Sequence, residues 1–186
     1  MRSVEDLIAL IDEPRARESC RTLMRDHGSR LAEAWGSSHN HQAWPGGYLD
    51  HVRDVMNIAL ALHDTLSSFR FLPFSVSDAL LVLFLHDIEK PWKDDYHQLV
   101  YENIGVGANV DDCGLAWTKR TRSIVRNILL RDYQFELTIE QENAMRYVEG
   151  EGDEYSSTHR VMNELAAFCH MCDVASARIF HSKEAF

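Results

Sequence analysis

Apolar residues recur every three or four positions through most of this chain, with polar breaks between the runs. Leu49, Val52, Val55, Met56, Ala59 and Leu62 make one such row within residues 48–69, which predicts a helix with that stripe turned toward a core. The same spacing predicts helices over residues 4–12 and 14–35, the second opening on a proline suited to a first turn and ending near Gly36. Residues 36–46 are rich in Ser, His and Asn and read as a polar loop. Ser75 as a cap and Asp78 near the positive end of a helix dipole mark the start of the apolar run that ends at Leu85. A short run of that kind also fits a buried strand; the capping residues favour the helix, and Pro91 stops it. Residues 96–110 read as loop with a short helix, and 111–133 as a long helix carrying Lys119, Arg120, Arg122, Arg126 and Arg131. Helices over 138–148 and 156–182, parted by Gly150 and Gly152, complete the set. Six or seven helices without a convincing sheet predict an all-α fold, a single-domain helical bundle over residues 1–186.

Composition narrows the classes. With 45% hydrophobic and 26% charged residues the chain falls among globular domains, and no stretch reaches the roughly 18 apolar residues of a membrane span. Residues 1–6 lack the apolar region of a secretory signal, so the cytoplasm is the expected location and no membrane the expected partner. The net charge of −10 disfavours nucleic acid, whose backbone is held chiefly by Lys and Arg, yet leaves room for a small anion held by a local basic cluster. A homo-oligomer stays open. Cys20, Cys113, Cys169 and Cys172 are too few and scattered for a disulfide framework; Cys169 and Cys172 have Cys-x-x-Cys spacing but no second pair for structural zinc, and reduced core thiols are the plainer reading.

The chemistry begins where His86 and Asp87 follow six apolar residues, Leu80 to Leu85. An imidazole and a carboxylate delivered from a buried run are costly unless paired, and together they can chelate a divalent cation. His51 in Pro45-Gly46-Gly47-Tyr48-Leu49-Asp50-His51 and Asp173 in Cys172-Asp173-Val174-Ala175-Ser176-Ala177 are further candidate ligands. Read in order, these segments resemble the HD-domain superfamily of metal-dependent phosphohydrolases: its Gly-Gly-x-Leu-x-His entry, its His-Asp-Ile-Gly-Lys signature in His86-Asp87-Ile88-Glu89-Lys90, and its closing Ala-Asp-x-x-Ser-Ala. Glu89 departs from the family, which usually has Gly there.

The resemblance implies an HD-type helical domain with one divalent transition metal ion, Mn, Fe, Co, Ni or Zn, on His51, His86, Asp87 and Asp173. A cation so held acidifies water and polarises a phosphoryl oxygen, which leads to attack on phosphorus. The expected activity is phosphohydrolase, on a small phosphorylated substrate such as a nucleotide or deoxynucleotide. Residues 111–133, where dinuclear relatives place extra histidines, hold none, so one ion is expected.

Each neighbouring residue has two readings. Lys90 can pair with a phosphate or stand solvated near a helix end, and Glu89 can act as general base or lie on the surface. His41 and Trp44 can border the pocket and stack on a base, or pack under the turn; His97 is a candidate substrate contact. Arg178, Arg122 and Arg126 can bind phosphate, against the default of a solvated basic face. His170 can support Asp173 or be satisfied elsewhere, His39 sits in the polar loop, and His27, His63 and His181 read as helix-surface residues. Two other functions compete: a 3′-5′ exonuclease-like phosphodiesterase on single-stranded nucleic acid, and a catalytically silent interaction domain that keeps the metal for stability.

Overall fold

The computed structural model describes residues 1–37, 41–104, 117–180 and 182, with backbone alone at 101, 102 and 104. Eight helices follow one another: α1 (Val4–Ile8), α2 (Pro14–Glu33), α3 (Gly47–Phe69), α4 (Val76–Leu85), α5 (Tyr96–Ile104), α6 (Lys119–Asp132), α7 (Ile139–Tyr147) and α8 (Glu164–Ile179). Among the described residues there is no strand, so the all-α bundle stands and the strand alternative for the run before His86 falls. No helix among them is long and apolar enough to cross a membrane.

Local chemistry sets most helix starts. Ser3, Ser75 and Thr138 close capping boxes with Asp6, Asp78 and Gln141, while Thr118 and Asn163 cap α6 and α8 by accepting from the third residue beyond. The last helix begins at Glu164 rather than 156, because Ser156 Oγ accepts from the Thr158 and His159 backbone N–H groups and so favours a turn over a helix. The first helix ends at Ile8 rather than near 12: beyond it the Leu10 and Ile11 N–H groups donate to the carbonyls three residues back, and that of Asp12 donates to Ser77 Oγ at 2.8 Å, so the helical ladder stops. Residues 105–116 of the two predicted middle elements, with His39, Cys113 and His181, lie outside the described residues.

The core forms around α3, α4 and α8, which pack on one another, with α7 against α8. Val52, Val55, Met56 and Ala59 of the predicted stripe are buried, and Leu49 and Leu62 pack beside them. The run Leu80 to Leu85 is buried on every side, as a helix at the centre of a bundle must be. Cys20, Cys169 and Cys172 are buried free thiols, and burial pushes the Cys172 thiol up to about 12. His27 and His63 are joints rather than surface residues. His27 sits at a kink in α2, packs edge-on against Trp92 at 4.9 Å and meets the Tyr133 hydroxyl at 2.7 Å; His63 lies between Phe74 and Phe168.

Candidate metal centre

The turn between α2 and α3 delivers the first ligand. Gly46 takes φ of 83°, and a Cβ on Gly47 would stand 1.9 Å from the Gln42 carbonyl oxygen, so the pair of glycines lets the chain close tightly before His51. His51 lies one helical turn into α3 and is fully buried. Its partner arrives where α4 ends at Leu85: His86 is the C-cap, and its Nδ1–H donates to the Leu83 carbonyl at 2.8 Å. That bond fixes the tautomer and leaves Nε2 with a lone pair. On the opposite wall His51 Nδ1 meets Ser176 Oγ at 3.0 Å, which turns its Nε2 the same way.

Four side chains converge at this point. The two Nε2 atoms stand 3.2 Å apart. His51 Nε2 is 3.7 Å from Asp87 Oδ2 and 3.1 Å from Asp173 Oδ1, and His86 Nε2 is 3.3 and 3.6 Å from the same atoms. Donors sharing one ion at about 2.1 Å stand about 3.0 to 3.4 Å apart; the separations of 3.1, 3.2 and 3.3 Å fall in that range, and those of 3.6 and 3.7 Å lie just beyond it. Donor atoms of His51, His86 and Asp87 lie within 4.8 Å of one another, all buried, and Asp173 reaches both imidazoles. This group can hold a metal ion.

Electrostatics agree with a cation site. Burial lowers the His51 pKa, against the bond to Asp173. Burial also opposes charge on His86, but Asp87 and Asp173 outweigh it and raise its pKa to about 10. Burial would raise Asp87, yet Lys90 and then His86 hold it well below the usual carboxylate range, and Asp173 is lowered by its bonds to the two imidazoles despite its own burial. Two anionic carboxylates thus face two buried imidazoles, of which His86 holds a proton tightly and His51 does not, and a divalent cation can take the place of that proton.

The surroundings revise several readings from sequence. Lys90 is not a solvated lysine: its Nζ lies 2.5 Å from Asp87 Oδ2. Glu89 is not on the surface and its carboxylate is not available as a base. It is fully buried, with Oε1 bonded by Arg122 Nε at 2.8 Å and Arg126 Nη2 at 3.0 Å, and Oε2 by Arg126 Nε at 3.0 Å. Arg122 and Arg126 are correspondingly not a solvated face; Arg122 also reaches Asp87 Oδ1 at 3.3 Å and Glu149 at 2.7 Å. Glu89 is therefore tied through Arg122 to Asp87.

His41 comes to the site, its ring 5.3 Å from that of His51. Trp44 is tied to α3, its indole N–H donating to Asp50 at 2.9 Å. His97 stacks on Tyr96 with ring centroids 3.9 Å apart. Arg178 is exposed and, five residues beyond Asp173 at about 100° each, points away from the cluster. His170 is satisfied by the Val148 carbonyl at 2.7 Å and does not support Asp173. The sequence signal for Ser176 is its place one turn after Asp173, on the same helix face.

A cavity of about 820 Å³ adjoins the cluster through Lys90 and Arg122, which both line it and both touch Asp87. Arg30, Lys93 and Lys119 add three more cations against Glu33, Asp94 and Asp95, and Trp35 and Trp117 contribute flat apolar surface. No family model, curated protein or solved structure matches the chain.

Proposed function

We propose that this chain is a metal-dependent phosphohydrolase that cleaves a phosphate ester or anhydride of a small substrate, a nucleotide or deoxynucleotide. The observation that carries the reading is the convergence of His51, His86, Asp87 and Asp173 beside a basic, tryptophan-lined cavity. The three sequence segments that carry these residues resemble the HD-domain superfamily, which points the same way.

A divalent ion held by these four side chains would supply a Lewis acid and would acidify water near neutral pH. The chain's own groups do the rest. The Leu83 carbonyl and Ser176 hydroxyl hold the two imidazoles with Nε2 inward. Lys90 and Arg122 present positive charge to the cavity from beside Asp87, where a phosphoryl group meets it. Trp35 and Trp117 offer rings for a base to stack on, which favours nucleotides over phosphorylated sugars.

The test has two parts. Protein purified without chelator is expected to hold about one ion per chain and Asp87→Ala to hold none; full metal in that variant would refute the ligand set. Phosphate release is then screened over nucleoside mono-, di- and triphosphates with Mn²⁺, Co²⁺ and Ni²⁺. Cleavage confined to oligonucleotides would replace the reading by an exonuclease, and none with any metal by a silent module.

A further inference from the structure

His41 Nε2 is buried and has no hydrogen-bond partner. A buried polar atom in that state destabilises the fold unless something outside the chain pairs with it, which makes it a pointer to a ligand. Its place is specific. The ring is 5.3 Å from His51, and the charges that act on it are those of Lys90, His51, Asp87 and Asp173. Asp173 and Lys90 are also the accessible members of the cluster, with side chains 18% and 20% exposed where those of His51, His86 and Asp87 are at most 3%. His41 therefore stands beside the candidate ion site, against His51.

The backbone holds it there at a cost. Ser37 Oγ bonds both the N–H and the carbonyl of His41, at 2.9 and 2.8 Å. The next residue, Gln42, is fully buried at φ of 41°, a conformation unfavourable for a residue with a side chain. Its amide donates to Ser176 Oγ at 3.2 Å and to the Phe180 carbonyl at 3.0 Å, and Ser176 is the residue that orients His51. The strained turn and the first metal ligand thus share one anchor.

We propose that His41 is a catalytic residue of this centre, its Nε2–H donating a hydrogen bond to a phosphoryl oxygen of the bound substrate. A phosphoryl oxygen only accepts, so Nε2 carries its proton in the complex, and no proton is transferred. This assignment rests on the phosphohydrolase reading.

The test compares full-length, metal-loaded wild type with His41→Phe and His41→Gln, using inorganic phosphate as the probe. Phosphate affinity is read by calorimetry, fold stability by the urea midpoint, and ion content by elemental analysis. His41→Phe is expected to bind phosphate about ten- to a hundredfold more weakly, the loss for one hydrogen bond to a charged group, with ion content unchanged and the urea midpoint equal or higher because an unpaired polar atom is gone. His41→Gln, whose amide N–H reaches the Nε2 position, is expected to recover part of the affinity. A wild type that holds its ion and binds phosphate, beside a His41→Phe of equal affinity, would overturn the role of His41 alone. So would a urea midpoint that falls in step with affinity, the mark of a packing role. A wild type without an ion overturns the hydrolase reading and this assignment together.

Discussion

Replacing Arg126 by Gln separates a buried carboxylate from the larger share of its compensation. Glu89 is 0% exposed and accepts three charged hydrogen bonds, two of them from Arg126 at 3.0 Å and one from Arg122 at 2.8 Å. Breaking a buried ion pair by deleting one partner costs about 3–5 kcal/mol, and each hydrogen bond to a charged group contributes about 1.5–3 kcal/mol. Arg122 stays on Oε1, so the lower end applies, about 3 kcal/mol. The converse change is milder. In Glu89→Gln the arginine side chains, 17% and 19% exposed, reach water, and Arg122 retains Asp87 and Glu149, which leaves a loss of about 1–2 kcal/mol. Equilibrium urea unfolding at constant m measures both, and in a chain of this length Arg126→Gln corresponds to a fall of about 6–12 °C in Tm. The double variant should lose less than the sum of the two single losses by about 1 kcal/mol or more, since both act on one contact. Equal losses, or a larger one for Glu89→Gln, would refute the reasoning, because they would show that the arginines depend on the contact at least as much as Glu89 does.

Ser176→Ala removes the hydroxyl that orients His51 and anchors Gln42, and should weaken metal binding about ten- to a hundredfold in a competition titration with a chelator; unchanged affinity would show that His51 needs no such partner. The Arg30 hydrogen bonds hold the Asp95 pKa below the usual carboxylate value of about 3.9. A carboxylate with a depressed folded pKa stabilises the protein above its unfolded value, and that contribution is lost as pH falls through the folded one. The difference in urea midpoint between wild type and Asp95→Asn should therefore be constant from pH 5 to 8 and shrink below pH of about 4; a difference independent of pH would discount the pair.

Most helix starts and the candidate metal donors are legible because each depends on residues close in sequence. Ser75 with Asp78 and Thr138 with Gln141 form caps over three residues, and His86-Asp87 after an apolar run states its own chemical anomaly. The start of α8 was misplaced because Ser156 spends its hydroxyl on a local turn, an outcome that helical periodicity does not register. Glu89 and the arginines were misread for a different reason. A charged residue is exposed by default, and the reversal depends on partners 33 and 37 positions away.

The sequence by itself determined that the chain is a bundle of helices and that two imidazoles and two carboxylates are its candidate donors, since period, capping and donor chemistry are properties of short segments. Tertiary structure alone decided that those donors stand 3.1 to 3.7 Å apart, that α6 turns Arg122 and Arg126 inward onto Glu89, and that His41 is left with an unpaired nitrogen beside them. Burial and pairing are relations between surfaces that the chain brings together from afar, and a helix carries the same residues whichever face it presents.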